Sequence, residues 1–268
     1  MKTTFLHNYH SHTTRCGHAF GTDEAYVKAA IEAGFKTLGF SDHVILPGVL
    51  QPHMRARYDL LDDYIGSVRF LEKKYKGIID VKLGFECEYL QEPFDSYYHE
   101  LLEQRGFDYL ILGQHCFFDR TYGEMKWYSD LPSKLYALHH YESDIIAGIE
   151  SGLFAYVAHP DLYVLFNGGW DDNCAEVAHH ICQAAEKHHV PLELNMGRTR
   201  GKDRSKLWRL DNNLYPYPLF WEIAKQYDIE VVIGVDAHRP EHYQNSDYAA
   251  FTEILRNLGM KFKEKLDI

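Results

Sequence analysis

A parallel α/β barrel is the fold this sequence predicts, and two interleaved patterns predict it. Seven short apolar runs bounded by turn residues, at 3–9, 37–41, 81–88, 109–114, 156–159, 191–195 and 230–236, read as buried strands. Between them lie longer stretches of helical periodicity at 22–33, 60–75, 93–103, 133–150, 175–188, 218–226 and 247–258. Strands alternating with helices imply βαβ units, whose right-handed crossovers wind into a closed or nearly closed barrel. A length of 268 residues suits one barrel of ordinary size. An open doubly wound sheet is the alternative, but neither G-x-G-x-x-G nor G-x-x-x-x-G-K-[ST] follows the first strand, so the usual nucleotide loops of such a sheet are missing. With no linker, repeat or low-complexity tract, residues 1–268 are expected to form a single domain.

Taken in order, the elements end on a recurring kind of residue. The first strand runs into His10 and His12. Thr22 with Asp23 and Glu24 opens the first helix, and Gly34 stops it. The second strand ends at His43, the third carries Glu86, the fourth ends at His115, the fifth at His159, and the seventh at Asp236 and His238. Only the sixth, ending in Glu193 and Asn195, lacks a histidine. Irregular stretches at 44–58, 117–130, 163–172 and 196–217 follow several of these ends, and long loops there usually build a site.

In a parallel barrel, catalytic groups collect at the C-terminal ends of the strands, so these scattered side chains are expected to converge. His10 and His12 are two apart on an extended segment, which puts both imidazoles on one side in chelating geometry, and the same holds for Asp236 and His238. Imidazole and carboxylate suit Zn, Mn or Fe, and no thiolate cluster argues for a structural zinc site. Seventeen histidines are many. Ten of them, at 7, 53, 99, 139, 140, 179, 180, 188, 189 and 242, are expected to be solvated or hydrogen-bonded groups, several of them on helix faces.

The net charge of −11 argues against a nucleic-acid backbone as partner, because such binding needs clustered Lys and Arg, so a small solute is expected. Five cysteines without a C-x-x-C pair suit a reducing cytoplasm. The N-terminal MKTTFLHNYHSH has no apolar run and no stretch approaches about 20 consecutive apolar residues, so neither a signal peptide nor a membrane anchor is expected. Oligomeric state is not legible.

The ordered set His10-Ser11-His12, His18, Ser41-Asp42-His43, Gly84-Phe85-Glu86, Gly113-Gln114-His115, Ala158-His159-Pro160 and Val235-Asp236-Ala237-His238 resembles the polymerase and histidinol phosphatase (PHP) superfamily over residues 9–238. The resemblance implies a distorted (β/α)7 barrel and two or three divalent metal ions. One metal would take His10, His12, Glu86 and Asp236; a second would share Glu86 and take His115 and His159; a third would take His18, His43 and His238. A stand-alone chain of this length is most like members that hydrolyse L-histidinol phosphate in histidine biosynthesis. Gln114 and the loop from Asn195 through Arg198 to Lys202 depart from the pattern of those members. The alternatives are a phosphoesterase for another small ester, such as a nucleotide or sugar phosphate, and a non-catalytic metal-stabilised module.

On that reading, a hydroxide bridging the two metals that share Glu86 attacks phosphorus in line. Asp42 is expected to act as general acid or to orient a ligand histidine. Arg15, Arg198 and Arg200 are the candidates for gripping phosphate oxygens. Glu124, Asp161, Tyr122 and Tyr163 lie in loops suited to an ammonium group and a ring.

Overall fold

The structure, a computed structural model, describes residues 5–199, 208 and 215–268. The first strand, β1, covers His7–Asn8, so residues 3 and 4 of the expected first run lie outside the described residues. Helix α1 (Asp23–Ala33) starts where Thr22 caps it, its side chain accepting the Ala25 amide, and stops at Gly34, whose φ of +94° suits the residue without a Cβ. Strand β2 (Thr37–His43), helix α2 (Leu61–Lys74), strand β3 (Asp80–Cys87), helix α3 (Asp95–Glu103) and strand β4 (Tyr109–Leu112) follow in the expected alternation. These strands form a parallel sheet in the order β1-β2-β3-β4, with His43 beside Glu86 in the β2–β3 register.

The stretch 117–130, expected to be irregular, holds most of an antiparallel hairpin instead: β5 (Cys116–Asp119) and β6 (Glu124–Trp127). Helix α4 (Lys134–Ser151) leads to Val157, which bridges Leu112 on one side and Leu192 on the other. The expected fifth strand is therefore reduced to that pair of parallel bridges. Helices α5 (Tyr163–Asn167) and α6 (Asp172–His188), strand β7 (Leu192–Asn195), helix α7 (Pro218–Ala224) and strand β8 (Glu230–Gly234) complete the alternation, and α8 (His242–Asn245) and α9 (Tyr248–Leu258) follow.

The parallel sheet curls round as a distorted (β/α)7 barrel. At its C-terminal end the ring closes, because Ser11 bridges Ala237, with the His12 amide donating to the Ala237 carbonyl at 2.8 Å. At the other end a short strand, β9 (Lys261–Phe262), pairs with the start of β8 and occupies the seam beside β1. Phe262 meets the Phe5 ring at 5.6 Å, and the Leu266 amide donates to Tyr9 Oη at 3.2 Å. The distortion is thus local: the seam is sealed by strand bonding above and by the C-terminal segment below. No helix among the described residues is long and apolar enough to cross a membrane.

The large core lies between strands and helices, while a second, smaller cluster of Tyr9, Tyr109, Ile111, Tyr156, Ala158, Val232 and Leu266 joins the segment just after β1, β4, the residues flanking Val157, β8 and the C-terminal segment. Tyr109 is admitted by two glycines on neighbouring strands. A Cβ on Gly84 would stand 2.5 Å from its ring, and one on Gly39 would stand 2.2 Å from its hydroxyl. The freed hydroxyl donates to the Tyr9 carbonyl at 2.7 Å, tying β4 to β1 across two strands. Gly84→Ala is therefore expected to lower stability by about 1–3 kcal/mol through overpacking. Denaturant unfolding of metal-free protein measures it, and a variant within a few tenths of wild type would show that the ring moves aside freely.

Candidate metal centre

Glu86, near the end of β3 and 1 % exposed, is the hub of the C-terminal face. Its Oε2 lies 3.4 Å from His10 Nε2, 3.3 Å from His12 Nε2 and 3.3 Å from His43 Nδ1. Its Oε1 lies 2.7 Å from His159 Nε2 and 3.4 Å from His115 Nε2. Room for the carboxylate comes from the adjacent strand end, where a Cβ on Gly113 would meet Glu86 Oε1 at 2.2 Å. Asp236 forms a second anionic centre: its Oδ1 is 3.3 Å from His12 Nε2, 3.7 Å from His10 Nε2 and 3.3 Å from His238 Nδ1. A Cβ on Gly197 would occupy the place of Asp236 Oδ2, at 2.2 Å.

His18 joins this group from the turn after His12. Its Nδ1 faces the Cys16 carbonyl at 3.2 Å, and Nδ1 of His238 faces the Asp236 carbonyl at 3.1 Å. A carbonyl can only accept, so each Nδ1 carries the proton and each Nε2 is left with a lone pair. Those two Nε2 atoms face each other at 3.0 Å, an arrangement that calls for a cation between them or beside them. Further in, His10 Nε2, both nitrogens of His12, His43 Nδ1, His159 Nδ1 and Asp236 Oδ1 are buried without a hydrogen-bond partner. Buried polar atoms left open in such number are costly unless a ligand meets them, and an imidazole and carboxylate donor set fits divalent metals. Groups close enough to share one ion include His10, His12 and Glu86; His43, Glu86 and His115; and His12, His43 and His238. His43 thus stands between the expected second and third ligand sets.

The backbone is strained where the ligand candidates are most crowded. His159 and Asp236 have φ of +30° and +52°, a region that side-chain-bearing residues avoid at a cost of order 1–3 kcal/mol each. The His159 amide is held in that conformation by Glu193 Oε2 at 3.1 Å.

Protein charges alone polarise the cluster. Burial opposes the charging of His10, but Glu193, Glu86 and Asp236 outweigh it and hold its imidazole well above the usual value. His12 is likewise pushed up to about 9, with burial overcome by Asp236 and Asp42. Burial drives His43 well below its usual value, and it lowers His18 and His238, helped by their neighbour His12. Burial would raise Glu86, yet His10, His115 and His43 hold it well below the usual carboxylate range.

A cavity of about 440 Å³ opens onto this cluster, lined by His12, His18, His43, Glu86, His115, His159, Asp236 and His238 together with Met54, Trp127, Leu162, Gly197, Arg198 and Tyr215. Its aromatic and apolar members escaped the sequence reading: Trp127 arrives on the unexpected hairpin, and Met54 on the loop after β2. Arg198 is exposed at the cavity, its guanidinium 6.0 Å from the Tyr215 ring centroid. Arg200 lies outside the described residues.

The remaining candidates lie away from the cavity wall. Arg15 does not line the cavity; its guanidinium is taken up by Asp23 at 2.8 Å and Asp63 at 2.8 Å. Asp42 is buried behind His12, 3.6 Å from its Nδ1, and accepts a hydrogen bond from Thr13 Oγ1, so it faces a histidine and not the cavity. Of the residues suggested for an ammonium group and a ring, Tyr163 is buried with its hydroxyl on the Cys174 carbonyl, and Tyr122 and Glu124 are exposed on the hairpin. Asp161 is buried under Tyr217 and Trp221, where burial pushes its carboxyl up to about 7.

A family model described as the PHP domain matches residues 8–197. The chain belongs to that family. A relative from Deinococcus radiodurans, named "Probable histidinol-phosphatase", is 28% identical over 240 residues, covering 88% of each chain. The histidinol-phosphatase of Bacillus subtilis is 30% identical over 94 residues, 32% of this chain and 35% of that one. Among solved structures, histidinol phosphate phosphatase from Lactococcus lactis, crystallised with zinc, L-histidinol and phosphate, superposes with a TM-score of 0.71 at 15% identity, covering 98% of this chain and 99% of that one. That likeness establishes the barrel fold for this chain.

Metal uptake must compete with protons. His12, pushed up to about 9, is protonated at pH 7 in metal-free protein, and ligation requires the neutral ring. Binding therefore releases protons at pH 7, and affinity falls as pH falls. Calorimetric titration in buffers of different ionisation enthalpy should show a buffer-dependent binding heat; a heat independent of buffer would contradict the protonation state assigned to His12.

Proposed function

We propose that this chain is a metal-dependent phosphomonoesterase that hydrolyses L-histidinol phosphate to L-histidinol and phosphate. The observation that carries this reading is that nine side chains able to hold metals meet at one end of the barrel, eight of them on a cavity that also presents Met54, Trp127, Leu162 and Tyr215. His10, His12, Glu86 and Asp236 would hold one ion, Glu86 with His115 and His159 a second, and His18, His43 and His238 a third. Zn, Mn or Fe bound there supplies a water acidified from about 15.7 to near 7 and neutralises charge on the phosphoryl oxygens.

The chain's own residues then divide the work. Glu86, touched by imidazoles on both oxygens, fixes the spacing of the first two sites. Asp236 adds negative charge between His12 and His238. Arg198, exposed at the cavity, offers a planar guanidinium to the phosphate oxygens. Trp127 and Tyr215 offer faces for a flat ring and for the ammonium group of the organic half. Asp42, set behind His12, orients that imidazole. The names of the sequence relatives support histidinol phosphate over other small esters, and five buried free thiols suit a reducing compartment.

A panel of phosphate monoesters with Zn, Mn or Fe tests this. Histidinol phosphate should be turned over with a higher kcat/KM than a generic aryl phosphate, and equal or slower turnover refutes the substrate. Glu86→Ala should abolish turnover and lower metal content. Arg198→Ala should reduce kcat/KM roughly ten- to a hundredfold through loss of a charged contact of about 1.5–3 kcal/mol, while Arg15→Ala, outside the cavity, should leave it near wild type.

A further inference from the structure

Two glutamates outside the nine proposed ligand residues stand directly behind the candidate metal centre, one against His10 and one against His115. Glu193, on β7, is fully buried, with Oε1 2.8 Å from His10 Nδ1 and 3.4 Å from the Tyr156 hydroxyl. Its other oxygen, Oε2, accepts from the His159 amide at 3.1 Å and from Asn195 Nδ2 at 2.7 Å. The Asn195 carboxamide is itself oriented, because its Oδ1 accepts from the Gly197 amide. Space for Glu193 exists only because residue 234 is glycine; a Cβ there would lie 1.7 Å from Oε1. Glu88, two residues past Glu86 and also fully buried, mirrors this. Its Oε1 lies 3.2 Å from His115 Nδ1, and its Oε2 accepts from Arg55 Nη2 at 3.0 Å.

The symmetry extends to the front of each ring. His10 Nε2 lies 3.4 Å from one oxygen of Glu86, and His115 Nε2 lies 3.4 Å from the other. We propose that Glu193 and Glu88 are positioning residues that fix His10 and His115 as Nδ1–H tautomers, leaving both Nε2 lone pairs aimed at the two ions bridged by Glu86. The inference rests on the reading of these histidines as metal ligands. A carboxylate can only accept, so facing Nδ1 it places the proton there and keeps Nε2 free.

Because one oxygen of each glutamate is pinned by donors, the isosteric amide is predicted to be the disruptive replacement. In Glu193→Gln, the His159 and Asn195 donors hold the amide oxygen at the Oε2 position, so the NH2 group faces His10 Nδ1. Donor meets donor unless His10 moves its proton to Nε2, the atom needed for ligation. In Glu88→Gln, Arg55 holds the oxygen and the NH2 group faces His115 in the same way. Both side chains keep their size, so the barrel should still fold.

The test uses the full chain carrying Glu193→Gln or Glu88→Gln, with circular dichroism of the metal-free proteins as the check on folding. Zinc affinity is measured by chelator competition, and histidine tautomers by 15N NMR of metal-free protein at a pH high enough that His10 and His115, both raised by their carboxylate neighbours, have lost their second proton. The expected result is a wild-type fold, a shift of His10 or His115 to the Nε2–H form, and zinc affinity lower by about 10–100-fold in each variant. Wild-type affinity in the variants, or a loss of affinity with the tautomers unchanged, overturns the proposal. If wild-type protein bound no zinc, the metal reading would fall, while the tautomers would still decide whether the glutamates select them.

Discussion

A carboxylate withdrawn from water must be supplied with positive charge or donors by its surroundings, and in this barrel Glu86 is that carboxylate. It sits at 1 % exposure on the third of the parallel strands, with imidazoles from residues 10, 12 and 43 on one oxygen and from 115 and 159 on the other. Five histidines from four other strand ends meet one side chain only if the strands are parallel, in register and curled. The requirement therefore reaches down into the barrel: Gly113 leaves space for Glu86, Gly84 and Gly39 leave space for Tyr109 below, and the Ser11–Ala237 bridge brings the first and last strand ends together.

Glycines stand beside large polar side chains at three of the anionic positions. Gly113 serves Glu86, Gly197 serves Asp236, and Gly234 serves Glu193. In each pair the glycine follows or ends a neighbouring strand, so the carboxylate fills the volume that an ordinary side chain would take. The strain at His159 and Asp236 belongs to the same economy of space, since both residues turn the chain sharply at the point where their side chains must face inward. Packing of this kind stiffens the site before any ion arrives, which is what a metal centre needs if its ligands are to be preorganised.

The convergence of the strand-end side chains is legible in the sequence because two simple periodicities act together: alternation places His10 and His12 on one side, and a parallel barrel gathers strand ends. The hairpin is not. Cys116–Asp119 and Glu124–Trp127 carry charged, partly exposed residues around Gly123, which read as a loop, and their pairing is decided by tertiary context. Sequence proximity to His12 and His18 puts Arg15 near the site, but its direction is set by Asp23 and by Asp63, the latter 48 residues away. Glu193 was visible as the one strand end without a histidine. Its role was hidden because its partner, His10, lies 183 positions earlier. For Asp42 the sequence leaves open an acid or an orienting group, and its burial against His12 and Thr13 favours the second.

The central claim is that Glu86 bridges two metal ions. Crystals grown with zinc and measured on either side of the zinc absorption edge test it most directly. The account predicts anomalous peaks on both sides of Glu86, one contacting each carboxylate oxygen, with His10 and His12 at the first and His115 and His159 at the second. Peaks that leave Glu86 unligated, or a single ion bound by one of its oxygens at full zinc occupancy, would contradict it.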